Sequence, residues 1–175
     1  QFVRYASLAR ARGAQVVLLV PPQLVRLLAP LGEVWAIGSP LPAADFFCPL
    51  LSLPLAFGTT LASVPADIPY LFGDSAPWRS RLAALPGRRV GLAWAGGAHA
   101  QEPGARAMDR RRSLPEGALA PLAGVAGVSL VSLQVGPAAA PGVRLHDWTG
   151  DIRDFADTAG LLAGLDLVIA VDTAV

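Results

Sequence analysis

Apolar and polar positions along the chain follow helix and strand periods in turn. Residues 2–12 have apolar side chains at helical spacing, and Gly13 ends that pattern as a helix C-cap would. The β-branched run 15–20 predicts a strand, and the prolines after it predict a second helix that ends at Gly32. Two further short strands are predicted at 34–37 and 46–51. The first part of the chain therefore has the spacing of a βαβ protein.

The second half repeats this alternation after a proline-rich connection, residues 52–78. Strands are predicted at 89–95, 128–134, 143–147 and 167–171, and helices at 76–85, 115–123 and 152–165. Ser113 with Glu116 has the spacing of a capping box for the helix 115–123, and Asp151 or Asp154 is expected near the start of the last helix. Residues 96–112 are expected to form a long polar loop. The pattern predicts an α/β fold with two lobes of parallel sheet, a partial N-terminal lobe with the connection at 1–75 and a partial C-terminal lobe at 76–175.

Composition limits the classes of protein to which the chain could belong. The chain is 53% hydrophobic with 18 glycines, yet no apolar run approaches the roughly 20 residues that a membrane-spanning helix needs. The net charge of +1 and the lack of a continuous basic face disfavour nucleic acid as a partner. All 14 basic residues are arginine, which leaves no lysine for a Schiff base. The single cysteine, Cys48, excludes an internal disulfide, is expected in the core, and favours a reducing, cytoplasmic compartment.

The loop after the strand 89–95 has the residue types of a phosphate site. Glycine permits close approach of a ligand to the backbone, and guanidinium groups and helix N-terminal amides bind phosphate. The alternative is a solvated loop whose arginines face water. The candidate residues here are Gly96, Gly97, His99, Arg110, Arg112 and Ser113.

Polar residues at other strand ends are further candidates. Asp172 and Thr173 follow the last strand, where a carboxylate can accept from ribose hydroxyls and a threonine can hold phosphate; Asp172 would otherwise cap a following helix. Gln134 ends a strand on the same side, either as a ligand contact or as an amide that caps the sheet edge. Thr59 and Thr60 could meet an acceptor in a cleft between lobes or form a turn.

Several other functional motifs are missing from the sequence. It has no Ser-His-Asp pattern, no HExxH, no DxD pair for a metal, and no GxxxxGK[ST] phosphate loop. A dinucleotide-binding dehydrogenase is disfavoured because no GxGxxG follows a strand.

Longer segments resemble a known bacterial family. The segments are WAGGAH and DRRRS (94–99 and 109–113), SLQ (132–134), CPLLSLPLAFGTT (48–60) and the C-terminal residues 154–175. The family they resemble carries tetratricopeptide repeats before a glycosyltransferase-like region, and is related to family 9 heptosyltransferases and to O-linked N-acetylglucosamine transferase. The sequence departs from it at Gly97 and Ala98, where the family has Asn and Pro, at an insertion after His99, and at Val135, where the family has Lys.

The resemblance implies a GT-B architecture, in which two Rossmann-like lobes flank a cleft, and a metal-independent transfer of sugar from a nucleotide-diphosphate sugar. No cofactor is expected beyond that donor substrate, and the acceptor would be a protein or a glycan. It also implies that Asp172 and Thr173 contact ribose and diphosphate, while Gly96, His99, Arg110, Arg112 and Ser113 line the phosphate side. An acidic catalytic base would precede residue 1.

Two expectations concern the chain as a whole. It is expected to be a piece truncated at both ends, inactive alone and prone to self-association through uncovered sheet edges. The alternative to a glycosyltransferase is an inactive binding or scaffold module of the same fold, attached to the repeats.

Overall fold

The computed structural model describes residues 1–96, 103–136, 138 and 142–173. The chain divides into two compact units, Gln1–Phe72 and Gly73–Val175, each with its own parallel sheet. The α-helices are α1 (Tyr5–Ala11), α2 (Val25–Leu28), α3 (Leu53–Ala56), α4 (Ala76–Ala83), α5 (Pro103–Arg112) and α6 (Phe155–Leu162). The strands are β1 (Val17–Val20), β2 (Glu33–Ala36), β3 (Arg88–Ala93), β4 (Val128–Ser132) and β5 (Leu167–Ala170). Short 3-10 helices are Phe2–Arg4, Pro22–Leu24, Ala29–Leu31, Leu50–Ser52, Leu61–Ser63, Ala120–Gly124 and Thr149–Asp151.

The predicted α/β class, with parallel strands and flanking helices, is confirmed. Both sheets are parallel throughout, as strand–helix alternation requires. Within the described ranges, no helix has the length and apolar character needed to cross a bilayer.

The first unit is built on the two-stranded sheet of β1 and β2. The strands pair in register from Val17 with Glu33 to Val20 with Ala36. Gly13 has φ +89°, so α1 ends where the sequence predicts, at a residue that can adopt the left-handed conformation. The buried side chains of this unit are Val3, Tyr5, Ala6, Leu18, Val20, Leu27 and Leu28.

The second unit contains a three-stranded sheet in the order β4-β3-β5. His146 extends this sheet by one parallel bridge to Val131 on β4, through backbone hydrogen bonds to Leu130 and Ser132. Counting the His146 segment as the third strand of this unit gives the spatial order 3-2-1-4, in which the first four strands of a Rossmann-like sheet are arranged. The strand order reverses between β3 and β5.

Both faces of β3 and β4 are covered, whereas the edge strand β5 is exposed. On one face α4 and α6 pack against the sheet, in a cluster of Trp78, Leu82, Ala93, Val131, Leu133 and Leu161. On the other face Leu119 packs against Val90, Leu92, Trp94, Ala95 and Leu130. Gly91 points toward the first cluster, where a Cβ would lie 2.5 Å from Leu165 Cδ1 and 2.7 Å from Leu133 Cδ1. Successive residues of β3 and β4 are therefore buried on both faces, Ser129 and Ser132 among them.

Residues 46–51 do not form the predicted strand. Residues 46–49 have no regular structure, and a 3-10 helix begins at Leu50. Pro49 cannot donate to a strand ladder, and the run has no alternation of polar and apolar positions to define a buried face. Cys48 is exposed, so the prediction that it lies in the core is wrong.

The loop predicted at 96–112 contains helix α5, and the helix predicted at 115–123 is absent. Pro103 opens α5 at a position where its missing amide costs nothing. In the segment 115–123, Gly117 has φ +73° and Pro121 lacks an amide, so only the 3-10 helix Ala120–Gly124 forms. Because the helix predicted at 115–123 does not form, Ser113 does not act as its N-cap.

Two smaller elements were predicted with partial success. The strand at 143–147 is reduced to the bridge at His146. The last helix begins at Phe155, after the N-cap Asp154, whose carboxylate accepts from Ala156 N and Asp157 N.

Candidate functional site

The carboxyl ends of β3 and β5 lie side by side in the second unit. Ala93 pairs with Ala170, and Val171 N donates to Ala93 O at 2.9 Å, so the pairing continues to the last residue before Asp172. The turns after Ala95 and after Val171 therefore lie at the same edge of the sheet. In open parallel sheets, ligands bind at this edge where the strand order reverses.

Gln134 holds the end of β3 through its side-chain oxygen. Its Oε1 accepts from Trp94 N at 3.1 Å and from Ala95 N at 2.9 Å. Two N–H donors facing one atom require the carboxamide oxygen there, which fixes the orientation of the group. The role of Gln134 as an edge-capping amide is thus directly visible, and no hydrogen bond among the described residues uses its Nε2 group.

Ser113 connects the same turn to the end of α5. Its hydroxyl accepts from Gly96 N at 3.0 Å and donates to Asp109 O at 2.6 Å. Leu114 N donates to Trp94 O at 2.8 Å. Together with Gln134, these contacts give an acceptor to each of the three successive amides of residues 94–96.

Gly96 packs directly against an ion pair. Arg112 Nη2 lies 2.6 Å from Asp109 Oδ1, and a Cβ on Gly96 would lie 2.7 Å from Arg112 Nε and 2.9 Å from Asp109 Oδ1. The Arg112 side chain is 29% exposed, that of Asp109 only 12%. Only glycine lets the backbone at position 96 come this close to the Arg112–Asp109 ion pair.

The arginines of the candidate phosphate site lie at the C-terminal end of a helix. The sequence predicts them instead in a loop that leads to the N-terminus of the next helix. The last turn of α5 consists of Arg110, Arg111 and Arg112, whose positive charges interact favourably with the negative end of the helix dipole. Arg112 is engaged by Asp109, whereas Arg110 and Arg111 are exposed. Of the two arginines predicted to bind phosphate, Arg110 is the one with an exposed side chain.

Asp172 and Thr173 lie just past β5 at the carboxyl edge. Asp172 is exposed and Thr173 is half-buried. The sheet thus brings together Gly96, Gln134 and the pair Asp172–Thr173 at one edge. Ser113 is hydrogen-bonded to Gly96, and Arg112 packs against it. Gly97 and His99 lie outside the described residues.

Thr59 and Thr60 belong to the first unit. Thr60 N donates to the Ser63 hydroxyl at 2.9 Å, and Thr59 N donates to Pro54 O at 2.8 Å. Both threonines thus take part in local turns, as the alternative interpretation expects. Their proposed contact with an acceptor stays a prediction.

Sequence reasoning missed Asp109 as a member of the site. It is 8% exposed and contacts both Arg112 and Ser113. The available signal was the spacing of Asp109 and Arg112, since side chains three residues apart meet on one face of a helix.

The amino edge of the sheet carries a separate ion pair. Asp166 accepts from Arg89 Nε and Arg89 Nη2 at 2.9 Å each, and from Arg89 N at 2.7 Å. These hydrogen bonds hold the pKa of the Asp166 carboxyl well below its ordinary value. The pair joins the first residues of β3 to the entry of β5 and has a structural role.

Comparisons with known proteins give no relative for this chain: no family model, curated protein or solved structure matches it. Within the described ranges, no group of three or more His, Cys, Asp or Glu side chains is arranged to hold a metal ion.

Proposed function

We propose that the chain is the nucleotide-sugar-binding part of a metal-independent, GT-B-type glycosyltransferase. The observation that carries this proposal is the juxtaposition of Gly96, Gln134 and Asp172–Thr173 at the switch point between β3 and β5. The donor would be a nucleotide-diphosphate sugar and the acceptor a protein or glycan. The resemblance of the DRRRS, SLQ and C-terminal segments supports the same assignment.

The geometry suggests how a diphosphate would be held. The amides of residues 94–96 already have acceptors, so charge stabilisation would come from guanidinium groups and from the turn after β5. Arg110 is one of two exposed cations in the last turn of α5, the other being Arg111. Gln134 would contribute its Nε2 donors, because its Oε1 already accepts from the amides of Trp94 and Ala95, just after β3.

Calorimetric titration with uridine, guanosine and adenosine diphosphates tests the proposal. The unmodified chain should bind one of them, and Arg110→Ala should weaken that binding by about tenfold, the loss of one charge-assisted contact of roughly 1.5 kcal/mol. Arg79→Ala on α4 removes the same charge from another exposed helix position and should leave affinity unchanged. Equal affinities for the two variants would refute the role of Arg110.

Gln134→Glu separates the two functions of Gln134. A glutamate can still accept from Trp94 N and Ala95 N, but it replaces the free donors by a charged oxygen. We expect the variant to fold and to bind the diphosphate at least about tenfold more weakly, because two negative groups would face each other. Unchanged affinity would show that Gln134 only caps the sheet edge.

An inactive scaffold module is the second candidate function. The observation that favours it is that all three amides at residues 94–96 already have acceptors within the chain. Gly97, Ala98 and Val135 also stand where the family that the sequence resembles has other residues. In that case, no nucleotide diphosphate produces heat in the same titration.

A further inference from the structure

The outer edge of β4, away from β3, carries a pocket of the second unit. Its volume is about 220 Å³. Most of its lining is apolar and comes from Leu122, Val125, Val128, Leu130 and Val143. The pocket shares no residue with the candidate site at the carboxyl ends of β3 and β5, so it is a separate feature of this unit.

The pocket lies where the segment before His146 stops pairing with β4. His146 bridges to Val131, and a ladder continued by two residues would place Arg144 opposite Ser129. In the part of the chain that the structure describes, no backbone hydrogen bond joins Arg144 to β4. Because residues 128–130 and 143–144 all line the pocket, it occupies the place of the missing pairs.

The missing pairs leave a backbone donor of β4 without an acceptor. Leu130 O accepts from His146 N at 2.8 Å, and in a strand the N–H and C=O of one residue point to the same side. The Leu130 N–H therefore points away from β3, toward the segment 143–146. No described residue accepts from it, although Leu130 is only 8% exposed. Buried amides are nearly always paired, so an acceptor from outside the chain is expected here.

The charged part of the lining is basic. Arg144 and His146 line the pocket, and no aspartate or glutamate does. Arg144 is exposed and has no ion pair with any described residue. The hydroxyl of Ser129 already donates to a backbone carbonyl at 2.7 Å. A negatively charged acceptor can satisfy the Leu130 amide and the Arg144 guanidinium together.

We propose that this pocket binds a small carboxylate whose apolar part is about the size of one six-membered ring. The carboxylate accepts from Leu130 N–H and from Arg144, and the apolar part packs on Leu122, Val125 and Val143. This binding does not depend on the nucleotide site.

The volume of the pocket sets the size of the ligand. An apolar cavity of about 150 Å³ holds benzene, so about 220 Å³ has room for a ring with its carboxylate. Sites for drug-sized ligands are larger, about 300–1,000 Å³. A nucleotide sugar is therefore too large for this pocket.

Titration of the full chain with benzoate, followed by amide chemical shifts, tests the proposal. We expect saturable binding with a dissociation constant on the order of 1 mM, as is usual for a ligand of this size. The largest shift should occur at the Leu130 amide, with little change at Gly96 and Asp172. Benzyl alcohol, which has the ring without the charge, should bind at least about fivefold more weakly.

Two variants separate the charge of the pocket from its apolar part. Arg144→Ala should weaken benzoate binding about tenfold and leave benzyl alcohol binding unchanged. Arg79→Ala, which removes an exposed arginine on α4, is the matched control and should change neither. Val125→Phe, at a side chain that is 49% exposed, fills part of the pocket and should weaken the binding of both ligands.

Four results would overturn the proposal. They are a benzoate titration without a shift at Leu130, equal affinities for benzoate and benzyl alcohol, an equal effect of Arg144→Ala and Arg79→Ala, and unchanged binding in Val125→Phe. Tighter binding of N-acetylphenylalanine than of benzoate would also contradict it, because the pocket would then recognise the C-terminus of a peptide.

Discussion

Single residues of the second unit are constrained by direct contact with the ion pair at the end of α5. Gly96 has no room for a side chain, because Arg112 Nε and Asp109 Oδ1 occupy the position where a Cβ would stand. Arg112 cannot easily move away, since its guanidinium is held by Asp109 at 2.6 Å. The role of Gly96 is therefore steric, whatever the turn binds.

Gly96→Ala should lower the free energy of unfolding by about 1–3 kcal/mol, the usual cost of overpacking. Gly124→Ala is the control, because nothing lies within 4 Å of its Cβ position and its φ is not positive. That variant should be neutral or stabilising by about 0.4–1 kcal/mol. Urea unfolding of both measures the difference, and equal stabilities would contradict the packing described at Gly96.

A pH effect is expected at Asp166. Its carboxyl pKa is lowered in the folded state by hydrogen bonds from Arg89, so it stabilises the fold above the unfolded-state pKa of about 4 and loses that contribution as pH falls toward the folded pKa. Asp166→Asn should thus be less stable than the parent at pH 7, with the gap shrinking below about pH 4. Thermal melts across this range test it; a gap that widens on acidification would contradict the assignment.

At the scale of elements, α6 is anchored to residues 73–74 by close contacts that glycine makes possible, and to α4 by a hydrogen bond. On α6, Gly160 lies against the backbone of Asp74, and Gly73 in turn lies against the backbone of Ala159 and Gly160. Trp78 on α4 donates from its indole to Asp157 O at 3.1 Å. These contacts fix both helices on the face of the sheet opposite Leu119.

Gly160→Ala should separate α6 from residues 73–74, because the new methyl group would overlap Asp74 O. We expect a loss of about 1–3 kcal/mol in unfolding free energy. Gly150→Ala provides the comparison, since nothing lies within 4 Å of its Cβ position. If chemical denaturation finds Gly160→Ala no worse than Gly150→Ala, the close backbone contact is not formed.

The attachment of α5 to β3 depends on the Ser113 hydroxyl. Ser113→Ala removes the acceptor of Gly96 N and the donor to Asp109 O, and should destabilise the unit by about 1–3 kcal/mol. Ser113→Thr keeps the hydroxyl and should recover most of that stability. Hydrogen exchange at Gly96 should speed up in the alanine variant alone, and protection that is the same in both variants would argue against this hydrogen bond.

At the scale of the whole molecule, the sequence was sufficient for the layered architecture and insufficient for the site. The strands β3, β4 and β5 were predicted within three residues at each end, because each contains a largely apolar run of strand length bounded by Gly, Pro or polar residues. Helix α5 was not predicted, because its polar, arginine-rich sequence is also typical of a solvated loop. The strand at 46–51 was predicted but does not form, because an apolar run alone does not show whether its side chains are buried.

The contacts of the site could not be predicted, since they join distant positions. Gln134 lies 40 residues from Trp94, and Ser113 lies 17 residues from Gly96. The residue types at the strand ends can be read from the sequence, but which side chain accepts a hydrogen bond from each backbone amide cannot. Only the register of β3 with β4 and the path of α5 decide that Oε1 of Gln134 and the hydroxyl of Ser113 meet those amides.

Amide chemical-shift mapping of the full chain during titration with uridine, guanosine and adenosine diphosphates tests the central claim most directly. The claim is that the turns after Ala95 and Val171 form one ligand site at the switch point. We expect the largest shifts at Gly96, Gln134, Asp172 and Thr173, with smaller shifts at Arg110 and little change at the amino edge near Arg89 and Asp166. Shifts confined to residues away from these two turns, or none with any of the three diphosphates, would contradict it.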